Sequence, residues 1–373
     1  MGATKMKEQY ECRSCRTKYD VTEDVWKCKC GGLFDLVKGR IEINLSRLQN
    51  QPATMWRYLD TMPFDHHSTI WQQVTMGEGY TPLVMLDESE PNTYVKVDYM
   101  MPTLSFKDRG AAVLMAKAKE LGVKKVIADS SGNAGTSIAA YAKRAGIPCD
   151  VFLSESTSPK KITQIKAHGA NVRSINGSRE DVAAAAQKAV TEEQTFYASH
   201  VYNPFFFEGT KTYAYEIWEQ MKSAPDTLII PVGNGTLLLG AYYGFKELME
   251  IGLVDKMPKL IAIQAENCAP LARAFTSEQK LAVKVQTSNT LAEGIAIAAP
   301  ARSVQILEAI RKTNGQFITT SEEEITEART TLASKGFYVE PTTAANYAGY
   351  LKYDRASVEK IIIPLCGAGI KAN

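Results

Sequence analysis

Short, near-continuous apolar runs punctuate the chain from about residue 76 onward. They are TYVKV at 93–97, KVIAD at 125–129, CDVFL at 149–153, TLIIP at 227–231, LIAIQ at 260–264 and KIIIP at 360–364. Runs of this kind suit strands whose two faces are both covered. Between them lie longer stretches with helical spacing, such as AAVLMAKAKEL (111–121), AGTSIAAYAKRAG (134–146) and SREDVAAAAQKAV (178–190). Gly122 and Gly146 stand where two of these helices should stop. Strand and helix in alternation predict an α/β fold with mostly parallel sheets. Ligands of such sheets bind beyond the carboxyl ends of the strands, so the loops after the strands are where chemistry is expected.

The first 75 residues read differently. Residues 37 to 75 are mixed and Trp-bearing, and are expected to be short helical connectors. Residues 1 to 36 hold Cys12-Arg-Ser-Cys15 and Cys28-Lys-Cys30-Gly31-Gly32, four of the chain's seven cysteines. Two close cysteine pairs joined by a hairpin-length segment suit a structural zinc site, where four thiolates leave no open coordination position. The second pair is one residue closer than usual, so a ribbon with free thiols is the other reading. Cys149 and Cys268 are expected to be buried and inert.

Composition narrows the function classes. The 373 residues allow two or three domains or one large two-lobed enzyme. With 43 basic and 41 acidic residues the formal charge is +2, and there is no long basic run. Nucleic acid and membrane surfaces are therefore not expected partners. No stretch has the roughly 20 apolar residues of a spanning helix, and a cytoplasmic location is the expectation.

Four loops carry candidate chemistry. Asp129-Ser130-Ser131-Gly132-Asn133 precedes a helix, as does Pro231-Val232-Gly233-Asn234-Gly235-Thr236. Small residues at a helix N-terminus let an anion reach backbone N–H groups, although plain turns share this composition. Pro364-Leu365-Cys366-Gly367 presents a thiol among small residues. Ser105-Phe106-Lys107-Asp108-Arg109-Gly110 places a lysine just after a strand-like run. An amine, a phosphate cradle and a neutral donor are together what pyridoxal phosphate needs.

In this order, Gly77-Glu78-Gly79-Tyr80-Thr81-Pro82-Leu83, Ser105–Gly110, Ser130–Gly135, Asn203-Pro204, Glu208-Gly209-Thr210-Lys211-Thr212 and Gly233–Thr236 make the chain resemble the fold-type II pyridoxal-phosphate enzymes. It looks most like the threonine synthases among them. The resemblance covers roughly residues 76 to 370. It implies two open, mostly parallel α/β domains with the cofactor in their cleft, plus a small N-terminal zinc-ribbon-like segment. The implied boundaries are 1–36 for the ribbon, 37–104 with 201–373 for a large cofactor-binding domain, and 105–200 for a smaller one. Lys107 would carry the cofactor as a Schiff base and shuttle protons. Asn133 would meet the ring hydroxyl, and Val232, Gly233, Asn234, Gly235 and Thr236 the cofactor phosphate. Cys366 would face the ring nitrogen. Thr81, Ser131 and Asn203 would hold substrate carboxylate or phosphate. The implied reaction turns the small amino acid O-phospho-L-homoserine and water into L-threonine and phosphate. A homodimer is the expectation for a soluble oligomer in general. Cys12, Cys15, Cys28 and Cys30 would hold structural zinc.

The match departs in places. Leu104 stands where the family usually has a small residue, and Cys366 where threonine synthases usually have Thr. Cys366-Gly367 and Thr290-Leu291-Ala292-Glu293-Gly294-Ile295-Ala296 look more like serine/threonine dehydratases. A dehydratase, or a synthase using another phosphorylated amino acid, is thus the alternative reading. A catalytically retired ribbon-bearing binding protein ranks below both. His200 reads as a structural residue or a substrate contact, His168 as a helix cap, and Lys160 and Lys161 as an exposed pair. Phe205, Phe206 and Phe207 read as core or interface.

Overall fold

A computed structural model describes residues 8–22, 25–39, 41–65 and 67–371. Parts of the expected ribbon, residues 1–7 and 23–24, lie outside the described residues. The chain divides into two compact units. The first holds residues 1–78 and 107–209, and the second holds 79–106 and 210–373. Residues 37–78 thus group with the segment that follows Phe106.

The first unit contains a small antiparallel sheet and a parallel one. Gln9–Cys12 is the middle strand of the small sheet, between Lys18–Asp20 and Phe34–Val37. The parallel sheet runs Asn171–Ile175, Cys149–Ser154, Val126–Ala128, Phe196–Tyr197. Helices Lys107–Glu120, Asn133–Ala145, Pro159–Ala167 and Arg179–Glu192 alternate with its strands. The last opens on a capping box: Ser178 accepts from the Asp181 N–H, and the Asp181 carboxylate accepts from the Ser178 N–H. Tyr10, Cys12 and Phe34 of the small sheet, with Cys28 from the loop before its last strand, share one buried core with residues 111–116, Ile138 and Phe206. The cysteine-bearing segment is therefore part of this unit's interior. Residues 37–75 form one helical turn, Leu45–Leu48, and two 3-10 segments, Met55–Thr61 and Ile70–Gln73.

The second unit is built on a six-stranded sheet in the order Gln316–Thr320, Lys259–Ala265, Thr227–Pro231, Ile361–Pro364, Thr93–Lys96, Leu83–Met85. Every pairing is parallel except the last. All six apolar runs singled out in the sequence are strands, and all are central or next to centre. In the two larger sheets the strands without such runs, Asn171–Ile175, Phe196–Tyr197, Gln316–Thr320 and Leu83–Met85, lie at the edges. An edge strand has one strand neighbour and an open side, so it needs no continuous apolar run.

The first helix begins four residues before its apolar run, at Lys107. Its opening residues are polar, yet Asp108 and Arg109 are fully buried. Partnering makes this tolerable: the Ser137 hydroxyl donates to Asp108 at 2.5 Å.

An ion pair sits in the interior of the second unit. Lys96 and Glu216 are both completely buried, 2.7 Å apart. Lys96 also donates to the Thr81 carbonyl at 2.5 Å and to the Gln220 side chain at 3.1 Å. Glu216 accepts the backbone N–H groups of Tyr80 and Thr81, at 2.7 and 3.2 Å. Both charges are thus paired and hydrogen-bonded, the condition for burying them. Lys96→Met should strand Glu216 and lower unfolding free energy by about 3–5 kcal/mol in denaturant melts; a loss under about 1 kcal/mol would mean the pair is not holding this region.

Candidate active site

The residues before Lys107 are set by backbone pairing inside the second unit. The Phe106 N–H donates to the Cys366 carbonyl at 2.9 Å, and the Ala368 N–H donates to the Leu104 carbonyl at 3.1 Å. Ser105 and Gly367 form an antiparallel bridge between them. Lys371 adds a bond from its ammonium to the Thr103 carbonyl at 2.6 Å. The chain reaches this bridge through a turn in which Leu104 has a left-handed backbone, φ +62°. That conformation costs a side-chain-bearing residue roughly 1–2 kcal/mol and suits glycine. The Cys366 thiol is buried, with its sulfur 3.9 Å from the Pro364 carbonyl.

Lys107 then opens a helix of the first unit. Its ammonium lies 5.8 Å from the centre of the Phe206 ring. Gly110, one turn along the same face, has no side chain because the Phe206 ring occupies that space; a Cβ would overlap the ring. His200 meets the same ring edge-on at 5.9 Å. Burial, and then the charges of Lys107 and Arg179, hold the His200 imidazole well below its usual range, so it is neutral at pH 7.

Asn133 is the first residue of its helix, whose N-cap, Gly132, offers no side-chain cap. The leading N–H groups of such a helix have no carbonyl of their own. Ser131, half-buried just before it, makes no hydrogen bond among the described residues. Asn203 caps the helix Pro204–Thr210, its side-chain oxygen accepting from the Phe205 N–H at 3.1 Å. The Asn203 carboxamide N–H groups have no partner among the described residues.

In the second unit, Val232–Thr236 joins the strand Thr227–Pro231 to the 15-residue helix Thr236–Glu250. Gly235 is the N-cap, with φ +74° and no side-chain cap. A Cβ there would fall 2.5 Å from Ile306, and one on Gly233 would fall 2.7 Å from Ile297. The loop therefore lies flat against an apolar wall, with a bare helix N-terminus, as a phosphate cradle requires. Thr81 is more constrained. Its hydroxyl donates to the buried Asp98 at 2.7 Å, and its N–H and carbonyl go to Glu216, Lys96 and Gln220.

The four N-terminal thiols converge, with all sulfurs within 4.8 Å of one another. The Cys12–Cys30 and Cys15–Cys28 sulfurs are each 3.5 Å apart. A tetrahedron of Zn–S bonds near 2.3 Å has sulfur–sulfur edges of about 3.8 Å, so the geometry fits zinc. Hydrogen bonding to Thr17 lowers the Cys15 thiol to about 6, whereas Cys30, despite the Gly32 N–H that lowers it, is pushed up to about 12 by the neighbouring thiols, so with no metal the four thiols do not all ionise together.

Other expectations sort themselves. Cys149 and Cys268 are buried, and burial pushes the Cys149 thiol up to about 12. His168 is the C-cap of Pro159–Ala167. Lys160 is exposed, Lys161 is half-buried, and Phe205, Phe206 and Phe207 are core. Two of the carboxylates whose burial the sequence did not show stand out. Glu78 accepts the Trp56 indole N–H at 2.5 Å, the Met76 N–H at 2.7 Å and the Tyr141 hydroxyl at 3.0 Å. Glu216 is the other. The one available signal for Glu78 was its place between Gly77 and Gly79, both with positive φ.

Leu104 generates a prediction with opposite signs. It is 39% exposed, so little packing is at stake. Leu104→Gly should match or exceed the parent in thermal melts, whereas the β-branched Leu104→Val should lose roughly 1–2 kcal/mol. Equal stability of the two variants would remove the strained turn from the account.

A family model described as pyridoxal-phosphate dependent enzyme matches residues 74–367. The threonine synthase of Methanocaldococcus jannaschii is 35% identical over 96% of this chain and 92% of its own length. That of Methanosarcina acetivorans is 34% identical, over 92% of this chain and 86% of its own. Among solved structures, maize serine racemase superposes with a TM-score of 0.68 at 20% identity, covering 78% of this chain and 88% of that one. A processed threonine deaminase from Solanum lycopersicum gives 0.68 at 22% identity, covering 90% and 95%. These last two speak to the fold, and the fold agrees with them. By the family match and the length of the similarity to threonine synthases, the chain belongs to the pyridoxal-phosphate dependent enzyme family.

Proposed function

We propose that the protein acts as a threonine synthase, converting O-phospho-L-homoserine and water to L-threonine and phosphate. The observation that carries this reading is the similarity to a threonine synthase along 96% of the chain. The residues present fit the cofactor: a lysine opening a helix, a glycine loop on an uncapped helix N-terminus, and a small buried thiol. When bound, pyridoxal phosphate supplies a sink for negative charge at the substrate's Cα.

The chain's own residues would do the rest. Lys107 holds the cofactor covalently and moves the proton at Cα. The N–H groups of Gly233, Asn234, Gly235 and Thr236 would bind its phosphate, and Asn133 its ring hydroxyl; the Val232 N–H is already given to the Ile263 carbonyl at 2.8 Å, so Val232 anchors the loop to the sheet instead. Cys366 would face the ring nitrogen, and a thiol there would not hold a proton as a carboxylate would, which favours elimination and replacement over transamination. Ser131 and Asn203 keep donors for the substrate's anionic groups. Thr81 has already given its hydroxyl proton to Asp98. It can therefore accept from substrate but not donate to an anion, and its main work is to anchor its loop.

The dehydratase alternative rests on Cys366-Gly367 and on Thr290–Ala296, where Glu293–Ile295 forms a 3-10 turn. A product assay separates the two. Phosphate and threonine should appear from O-phosphohomoserine, and Lys107→Ala should abolish both. Ammonia and a 2-oxo acid from threonine or serine would replace this reading with the dehydratase. A colourless protein that takes up no added cofactor would leave the binding-protein reading.

We further propose that Cys12, Cys15, Cys28 and Cys30 hold one structural zinc ion. Elemental analysis should find about one zinc per chain, and Cys12→Ser should lose it and lower the melting temperature. Metal-free protein with an unchanged melt would contradict the assignment. A homodimer is the assembly we propose, on the prevalence of twofold pairs among soluble oligomers, and a reducing, cytoplasmic setting accords with seven free cysteines. No described helix is long and apolar enough to cross a membrane.

A further inference from the structure

Phe206 stands out among the buried aromatics because it touches the one lysine that matters. Its ring face lies 5.8 Å from the Lys107 ammonium, its edge takes up the space left by Gly110, and His200 packs against it at 5.9 Å. It is completely buried. Its neighbour Phe205 is gripped independently, by Tyr10 edge-on at 6.0 Å and by the Lys117 ammonium at 5.2 Å. The short helix carrying both rings is therefore held from the cysteine-bearing sheet on one side and from the Lys107 helix on the other.

We propose that Phe206 is a positioning residue for the Lys107 amine: its ring face holds the side-chain nitrogen and favours a positive charge on it. An aromatic face attracts a nearby cation most strongly where water is excluded, and Phe206 is such a place. His200 completes the arrangement by bracing the ring without bringing a competing charge, since its imidazole is neutral. The other charged groups on the surrounding elements are Asp108, Arg109, Lys117, Lys119 and Glu120 on the lysine's own helix, with Lys117 paired to Glu120, then Arg179, Glu180 and Asp181 at the start of their helix, and Glu208, which is paired with Lys38. Asp108 already accepts from Ser137. Phe206 is thus the neighbour whose removal changes the setting of the nitrogen without changing any formal charge.

This inference rests on the reading of Lys107 as the cofactor-bearing residue, and the test separates the two. Holoenzyme is titrated with base while its visible absorbance is followed. A protonated lysine–cofactor link and a deprotonated one absorb differently, so the midpoint reports the charge on the lysine nitrogen. Losing the aromatic face disfavours the charged form. Phe206→Leu should therefore move the midpoint to lower pH by roughly half a unit to one unit. Phe206→Tyr, which keeps the face, should stay near the parent. If Phe206→Leu does not fold, Phe206→Met conserves more volume and carries the same expectation. Midpoints within about 0.2 unit of the parent in a folded, non-aromatic variant would overturn the proposal. Equal shifts for the leucine and tyrosine variants would do so as well. A parent protein that never acquires a visible band would instead overturn the assignment of Lys107.

Discussion

A two-bond backbone bridge fixes the most consequential stretch of this molecule. Phe106 gives its N–H to Cys366, and Leu104 receives the N–H of Ala368. The bridge joins segments 260 to 264 positions apart in sequence, and the residue after it is Lys107. Everything that makes that lysine interesting depends on where the bridge ends and the helix begins. The strained Leu104 turn, the Ser105–Gly367 pairing and the Lys371 contact to Thr103 all serve to fix that point.

The bridge also gathers what first looked like separate departures from the family pattern. Leu104 and Cys366 are far apart in the chain, yet they lie on facing sides of this one structure. The left-handed conformation at Leu104 is held in place by the bridge that follows it, and its partly exposed side chain adds no packing conflict. Cys366 tolerates its position differently, as a small buried group whose backbone carbonyl does the pairing. The two residues that keep the substrate question open are therefore a single local variation, and their effects on the reaction should be coupled.

Much of the fold was legible from hydrophobic periodicity, because central parallel strands must be apolar on both faces. Edge strands such as Asn171–Ile175 were not, since one open side removes that requirement. The candidate loops were legible through glycines, serines and the order of the motifs. What stayed hidden were buried charges. Lys96, Glu78 and Glu216 have the composition of surface residues, and only three-dimensional pairing explains their burial. The hydrogen bond from the Thr81 hydroxyl to the buried Asp98 was hidden in the same way. The four thiols were legible as a cluster; that Cys12 and Cys28 lie in the core shared with the Lys107 helix was not.

The central claim is that Lys107 carries the cofactor, and it is tested most directly by trapping the link. The holoenzyme is reduced with borohydride, digested, and each lysine-containing peptide weighed by mass spectrometry. The account predicts one reduced cofactor adduct, on the peptide containing Lys107. An adduct on another lysine, or none on a protein that has bound the cofactor, would contradict it.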